Sequence, residues 1–229
     1  MTLNSVLKAQ RKLSAISSGG TSKTEVYNKF EQVLLELDAK GDLLDFGSGT
    51  GNLVKQFQKL NRFNSLTAID IIEKPVEIDN FIQWISWDLN ETTNLPNQAF
   101  DIIISSEVIE HLENPRAVVR EWFRLLRSGG TLVFSTPNNE SLRSLLALLV
   151  QGHFVSFGDN CYPAHITALL RKDIERILKE AGFHPPKFIF TDVGGIPKFP
   201  EISWQTISGG LLKGLRFSDN IIAIASKPN

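Results

Sequence analysis

The sequence predicts an α/β fold, on three observations: short apolar strands alternate with helical patterns, a glycine-rich turn directly follows the first strand, and polar residues collect where strands end. Apolar strands separated by helices argue for a mainly parallel sheet covered on both faces. With 229 residues, 42% of them hydrophobic and 21% charged, the chain is long enough to bury one sizeable core, and a single domain with insertions is expected. Its 24 basic and 25 acidic residues give a formal charge of -1, so no global field draws it to nucleic acid or an anionic membrane. A lone cysteine, Cys161, excludes an internal disulfide framework and fits a reducing, cytoplasmic compartment. No run approaches the ~20 apolar residues that span a bilayer.

The first segment carries Lys8, Arg11, Lys12 and Lys23 with no acid, which slightly resembles a transit peptide. It reads better as an N-terminal helix ending at Ser17-Ser18-Gly19-Gly20. Residues 24–39 place Val26, Phe30, Val33, Leu34 and Leu37 at helical spacing, with Gly41 as the stop. Residues 1–40 are therefore expected to form a helical cap on a domain at 41–229. Strands follow at 42–46, 65–70, 81–86, 101–105, 131–135, 187–191 and 220–225, and helices at 52–59, 116–126 and 171–181. Ser128-Gly129-Gly130 and Ala181-Gly182 are both read as helix ends. Residues 138–163 and 192–217, rich in Gly, Pro, Phe and Trp, are expected to be lids, since irregular segments that long are more often functional than connecting.

Leu43-Leu44-Asp45-Phe46-Gly47-Ser48-Gly49-Thr50-Gly51-Asn52 reads as a buried strand, a glycine turn and a helix start, the arrangement of a nucleotide cradle. A dinucleotide fingerprint needs a third glycine where Asn52 stands, which argues against a nicotinamide oxidoreductase. Asp45, so close to the turn, would repel a pyrophosphate and suits a ligand with an ammonium group. Ligands on open α/β sheets lie beyond the carboxyl ends of strands. Asp70 closes the second strand, where an acid bonds a ribose diol. Asp88 follows the third and could accept from the exocyclic amine of adenine. Ser105 and Ser106 close the fourth strand, and Thr136-Pro137-Asn138 the fifth.

Between Asp42 and Pro137 these segments, with Phe-Asp-Ile-Ile-Ile-Ser-Ser-Glu-Val-Ile-Glu-His-Leu and Gly-Gly-Thr-Leu-Val-Phe-Ser-Thr-Pro-Asn, resemble the class I S-adenosylmethionine-dependent methyltransferases. The resemblance implies a Rossmann-like, doubly wound, seven-stranded sheet whose last strand is antiparallel. It implies S-adenosylmethionine as cofactor, with Asp45, Gly47, Ser48, Gly49 and Gly51 around the methionine, Asp70 and Ile71 at the ribose, and Asp88 and Leu89 at the adenine. Ser105 and Ser106 are further candidates for cofactor contact.

Glu107, Glu110 and His111, read as i, i+3 and i+4 of a helix, would share one face. Two carboxylates and imidazoles suit Mg²⁺, Mn²⁺ or Zn²⁺, and His165 is the candidate to complete the site. The cluster is similar to the Glu-x-x-Glu-His element of ubiquinone-biosynthesis-type and small-RNA 2′-O-methyltransferases, where it holds a divalent metal. Many methyltransferases carry a similar element without metal, the histidine then serving as a base or as packing. His111 is the first choice and His165 the second for a catalytic group, because imidazole titrates near neutrality.

The expected activity is O-methylation of a small hydroxylated molecule: a quinone or phenol, a secondary metabolite, or a sugar. Alternatives are N-methylation and a non-catalytic S-adenosylmethionine-binding subunit. Nucleic acid is disfavoured for want of a basic surface interleaved with aromatics. The stripe Leu142, Leu145, Leu146 and Leu149 reads as core, or as cover over an apolar acceptor or a transient membrane contact. Oligomeric state is left open.

Overall fold

In the computed structural model, which describes residues 3–229, a seven-stranded sheet has the order β3-β2-β1-β4-β5-β9-β6. Its strands are β1 (Gly41–Phe46), β2 (Phe63–Asp70), β3 (Ile82–Ser86), β4 (Phe100–Ser106), β5 (Leu126–Pro137), β6 (Lys187–Phe190) and β9 (Asn220–Ser226). The first five pair in parallel, and β9 runs antiparallel to both β5 and β6. The helices are α1 (Leu3–Ser17), α2 (Thr24–Glu36), α3 (Asn52–Lys59), α4 (Pro115–Leu125), α5 (Leu142–Gln151), α6 (Arg171–Ala181) and the one-turn α7 (Trp204–Ile207). The remaining strands, β7 (Gly195–Ile196) and β8 (Phe199–Ser203), form a separate hairpin. Among the described residues no helix is long and apolar enough to cross a membrane.

The period-2 alternation of the strands divides the core in two. Leu44, Phe46, Ile103, Leu132 and Phe134 meet Val118, Val119 and Trp122 of α4 and Ile174 and Leu178 of α6 on one face. Leu43, Ala68, Ile102, Ile104 and Val133 meet Val26, Phe30 and Leu34 of α2 and Val54 and Phe57 of α3 on the other. Helix α2 is thus core, and only α1 has the character of the cap expected for residues 1–40. Trp122 sits between Phe46 and Phe134, ring centroids 5.7 and 5.1 Å away.

Strand order reverses between β1 and β4, which opens a crevice beyond their carboxyl ends. Every polar residue singled out at a strand end faces this edge of the sheet or its surroundings. The Ser128-Gly129-Gly130 reading is corrected: α4 ends at Leu125, and β5 starts at the fully buried Leu126, so both glycines lie inside the strand's first turn of chain. A buried leucine at 126 favours extended pairing over another helical turn. Gly182, at φ 103°, does cap α6 as read. The long insertions also hold more structure than irregular lids, with α5 in one and the β7–β8 hairpin and α7 in the other. The leucine stripe of α5 is not core: Leu149 is 82% and Val150 81% exposed, and only Ser144 of that helix is buried.

Removing the indole at the junction of the two aromatic neighbours should leave a cavity the sheet cannot close. Trp122→Ala is expected to destabilise the fold by about 3–5 kcal/mol, read as a lower urea midpoint with an unchanged slope.

Candidate active site

A cavity of about 520 Å³ lies over the β1–β4 crevice. Its floor is the glycine turn. Gly47, at φ 87°, leaves no room for a side chain, because a Cβ there would run into Val108; Gly49, at φ 53°, is blocked in the same way by the carbonyl of Gly20. Asp70 fixes the turn by accepting from the N–H of Gly49 at 2.8 Å and of Ile72 at 3.1 Å. Asp45 lies beneath, fully buried, with Oδ2 lacking any hydrogen-bond partner. Burial raises its pKa to about 7, with the Asp70 charge adding to the rise and hydrogen bonds from Ser48 and the Val54 amide opposing it.

Asp45, Gly47, Ser48, Gly49, Asp70, Ile71, Asp88, Leu89 and Ser106 all line the cavity. Gly51 and Ser105 do not. Gly51 starts α3, where a side chain would meet Ile78, and the Ser105 hydroxyl donates to the carbonyl of Phe46 at 2.7 Å, so both shape the sheet edge beside the cavity. Sequence reasoning did not identify the contacts that hold α1 over the cavity. Helix α1 crosses the cavity, and Arg11 donates to Asp88 at 2.8 Å and to Glu113 at 2.9 and 3.0 Å. Asp88 is only 1% exposed, and its other oxygen accepts from the Asn90 backbone at 3.0 Å. Both oxygens of the expected adenine acceptor are therefore engaged. The acid-free stretch containing Arg11 was visible, but nothing in its spacing pointed to an acid so far along the chain.

The chain after α1 continues the roof. The carbonyl of Gly20 accepts from the Thr50 N–H at 2.9 Å, and the Ser22 N–H donates to the Tyr27 hydroxyl at 2.8 Å.

A second group of residues adjoins the cavity, with Glu107, His111 and His165 in its lining and the fully buried Glu110 next to them. Ile109–His111 is a 3₁₀ turn, and Glu107, at φ 54°, precedes it outside any helix. The shared helical face expected for Glu107, Glu110 and His111 is therefore absent. Glu107 turns to Asn220, whose Nδ2 donates to it, and stands apart from the other ligand candidates. Glu110, His111 and His165 do converge, each offering a ligand atom within 4.8 Å of the others. The loop bearing His165 is clamped on: Ile166 and Thr167 both donate N–H to the Glu110 carbonyl at 3.0 Å, and the two imidazoles stand 4.7 Å apart.

Each imidazole is oriented by a backbone carbonyl. His111 Nδ1 bonds Ala164 at 2.8 Å and His165 Nδ1 bonds Ser156 at 2.6 Å, so the Nε2 atoms carry the free lone pairs. Glu110 is completely buried; Oε2 accepts from Thr136 at 3.2 Å while Oε1 has no partner. Burial, with the Glu107 charge nearby, pushes its pKa well up. Burial, and then the neighbouring His165, lowers the pKa of His111 to about 4. The low pKa keeps this ring neutral at pH 7, the form that metal coordination requires.

A family model described as a methyltransferase domain matches residues 23–185, and the chain belongs to that family. The mitochondrial ubiquinone biosynthesis O-methyltransferase of Candida albicans is 26% identical over 183 residues, covering 75% of this chain and 55% of that protein. The Schizosaccharomyces pombe enzyme of the same name is 26% identical over 200 residues, covering 81% and 69%. The chain thus spans about half the length of the first of these relatives. Among solved structures, a SAM-dependent methyltransferase from Archaeoglobus fulgidus superposes with a TM-score of 0.63 at 19% identity, covering 92% of this chain and 96% of that one. The 1,6-didemethyltoxoflavin-N1-methyltransferase of Burkholderia thailandensis, solved with S-adenosylhomocysteine, also gives 0.63, at 14% identity and 99% and 89% coverage. The fold is that of S-adenosylmethionine-dependent methyltransferases.

The roof is anchored by few contacts, and two substitutions should loosen it. Arg11→Ala removes the bridge to Asp88 and Glu113, and Gly49→Ala pushes away the Gly20 carbonyl. Each is expected to speed tryptic cleavage after Lys8 or Lys12 several-fold over wild type, and Arg11→Ala is expected to lower the thermal midpoint by several degrees as well, because the buried Asp88 loses its cation.

Proposed function

We propose that this chain O-methylates a small hydroxylated acceptor, with S-adenosylmethionine held over the glycine turn and a divalent metal held by Glu110, His111 and His165. The observation carrying the reading is the buried, partnerless Oε1 of Glu110 beside two imidazoles whose Nδ1 atoms are already tied to backbone. A buried polar atom left alone is costly, and a cation at the convergence of these three ligand atoms offsets that cost. The backbone carbonyls act as the outer partners that fix tautomer and ring orientation in metal-binding histidines.

Two imidazoles and one carboxylate, with positions left for substrate, suit Zn²⁺ or Mn²⁺ better than Mg²⁺, which prefers oxygen ligands. When bound, the metal supplies Lewis acidity that lowers the pKa of an acceptor hydroxyl. The cofactor supplies a methyl group on a sulfonium. What remains for the protein is to orient the acceptor, exclude water and keep the hydroxyl deprotonated. Glu110, His111 and His165 would orient the acceptor oxygen. Helix α1 and the His165 loop close the cavity from above, keeping water out of it.

Asp45 is suited to the cofactor's ammonium group, since its Oδ2 is free and its wall faces the cavity. Ser48 and Ile71 stand beside it for the rest of the methionine and the ribose, and Leu89 for the adenine.

The raised pKa of Asp45 gives this reading a pH signature. Below about 7 the carboxyl is protonated in the free protein and must lose that proton to meet an ammonium, so affinity falls as pH falls, by up to about tenfold per pH unit. Calorimetry with S-adenosylhomocysteine between about pH 5 and 7 should trace that slope in wild type; Asp45→Asn should bind more weakly at pH 7 and lose the slope. A flat wild-type profile removes Asp45 from the ammonium site.

For the metal, protein equilibrated with Zn²⁺ or Mn²⁺ and dialysed should retain about one equivalent by elemental analysis. His111→Ala and His165→Ala should lower the affinity at least tenfold. Undiminished methyl transfer in the presence of a strong chelator would overturn the metal's part in the reaction while leaving the methyltransferase reading in place.

A further inference from the structure

Helix α1 carries two unlike faces. Leu7, Gln10, Arg11, Ser14 and Ala15 line the large cavity. The outer face bears Val6, Ala9, Leu13 and Ile16, spaced i, i+3, i+7 and i+10, which sets them in one stripe along the helix. All four are exposed, Leu13 at 66% and Ile16 at 58%. A single apolar side chain on a surface needs no explanation. These form a row, on a helix whose inner side already has its place in the fold.

The charge of α1 is equally one-sided. The helix contains Lys8, Arg11 and Lys12 and no acid. Lys8 and Lys12 stand one turn apart on the flank of the apolar stripe. Arg11 is committed to Asp88 and Glu113; Lys12 reaches Glu73 at 3.0 Å, and among the described residues Lys8 has no ion pair. Glu73 is 77% exposed, so water and salt leave it only a weak hold on Lys12. The chain's formal charge of -1 does not cancel this patch, because exposed charges farther off than the screening length of about 8 Å are hardly felt.

This pairing of features identifies the occupant. Two copies of the chain joined through the stripe would bring together two helices without an acid, and the lysines of one would face those of the other. An anionic bilayer surface meets both needs at once. Leu13 and Ile16 enter the boundary between headgroups and acyl chains, while the lysine stems lie along it and their ammonium groups reach lipid phosphate. With 15 residues, α1 is about 22 Å long, too short to cross a bilayer, so it lies in the plane of the surface.

We propose that α1 is an interfacial helix that docks this chain on an anionic lipid surface through Val6, Leu13 and Ile16, with Lys8 and Lys12 on the headgroups. The docking is independent of the methyltransferase reading, since it uses neither cofactor nor metal. Because the inner face of the same helix roofs the cavity, docking sets the cavity against the lipid.

The test is flotation of the full-length protein with vesicles of phosphatidylcholine alone or of phosphatidylcholine mixed with phosphatidylglycerol. Wild type should partition onto the anionic vesicles at least tenfold more than onto the neutral ones, and the binding should weaken as salt is raised. Leu13→Glu with Ile16→Glu should lower that binding at least tenfold. Lys8→Gln and Lys12→Gln should each lower it about fivefold. All four side chains are on the surface of α1, and an unchanged circular dichroism spectrum confirms that each variant is folded. Leu149→Glu with Val150→Glu, which alters the exposed apolar end of α5, should leave the binding unchanged. Absence of wild-type binding to anionic vesicles overturns the proposal, as does binding that survives Leu13→Glu with Ile16→Glu or is abolished by the α5 variant. A dimer seen by light scattering and lost in Leu13→Glu with Ile16→Glu, without vesicle binding, overturns it in favour of a second copy of the chain.

Discussion

Four carboxylates are buried at one edge of one sheet, and the desolvation of those acids is the constraint around which the site is built. Asp45, Asp70, Asp88 and Glu110 all lie below the surface near the carboxyl ends of the strands. An isolated ion in such a place costs several kcal/mol, so each must be neutralised, hydrogen-bonded or paired. Asp70 is satisfied by the N–H groups of the turn it braces, and Asp88 by Arg11 and Asn90. Asp45 and Glu110 are left with one bare oxygen each. Their raised pKa values are the same fact in another form, since burial without a partner favours the protonated acid. Two unsatisfied acids, Asp45 in the cavity wall and Glu110 beside the histidine pair, are complementary to two positive groups, and the proposed cofactor ammonium and metal ion would supply one each.

The core makes this arrangement affordable in the sense that it holds the backbone still. The central strands β1, β4 and β5 are apolar on both faces, and the helices that cover them contribute fully buried Phe30, Phe57 and Trp122. Strand ends cannot shift to relieve the buried acids without disturbing that packing. Positive φ at Gly47 and Gly49, with no room for a side chain at either, then brings the backbone close to whatever occupies the cavity.

Much of this was legible in the residues because it depends on local pattern. The glycine turn, the acids at strand ends and the two-sided apolar strands each occupy a few consecutive positions, and β1, α3 and α6 fall within a residue of their expected limits. The failures share a cause. Glu107 was put on a helical face because Glu-x-x-Glu-His has the right spacing, but the backbone at Glu107 adopts a positive φ, and a 3₁₀ turn at 109–111 replaces the helix. Gly129-Gly130 read as a helix stop because the burial of Leu126 could not be seen. The Arg11 contacts to Asp88 and Glu113 depend on residues far apart in the chain, for which spacing carries no signal.

The parts of the enclosure differ in how firmly they are attached. Helix α2 contributes Val26, Phe30, Val33 and Leu34 to the core, so displacing it would cost a large share of the fold's stability. Helix α1 is attached differently, through Arg11 to two acids and Lys12 to Glu73, while Val6, Leu13 and Ile16 remain exposed. Solvent-exposed ion pairs are worth about 0–1 kcal/mol each, and although the buried Asp88 adds to its own pair, the attachment is small beside that of α2. Openings of a native protein are drawn from its least stable segments. Of the two helices that precede the sheet, α1 is therefore the one whose release uncovers the cavity at low cost, leaving the glycine turn, the buried acids and the histidine pair in place beneath it.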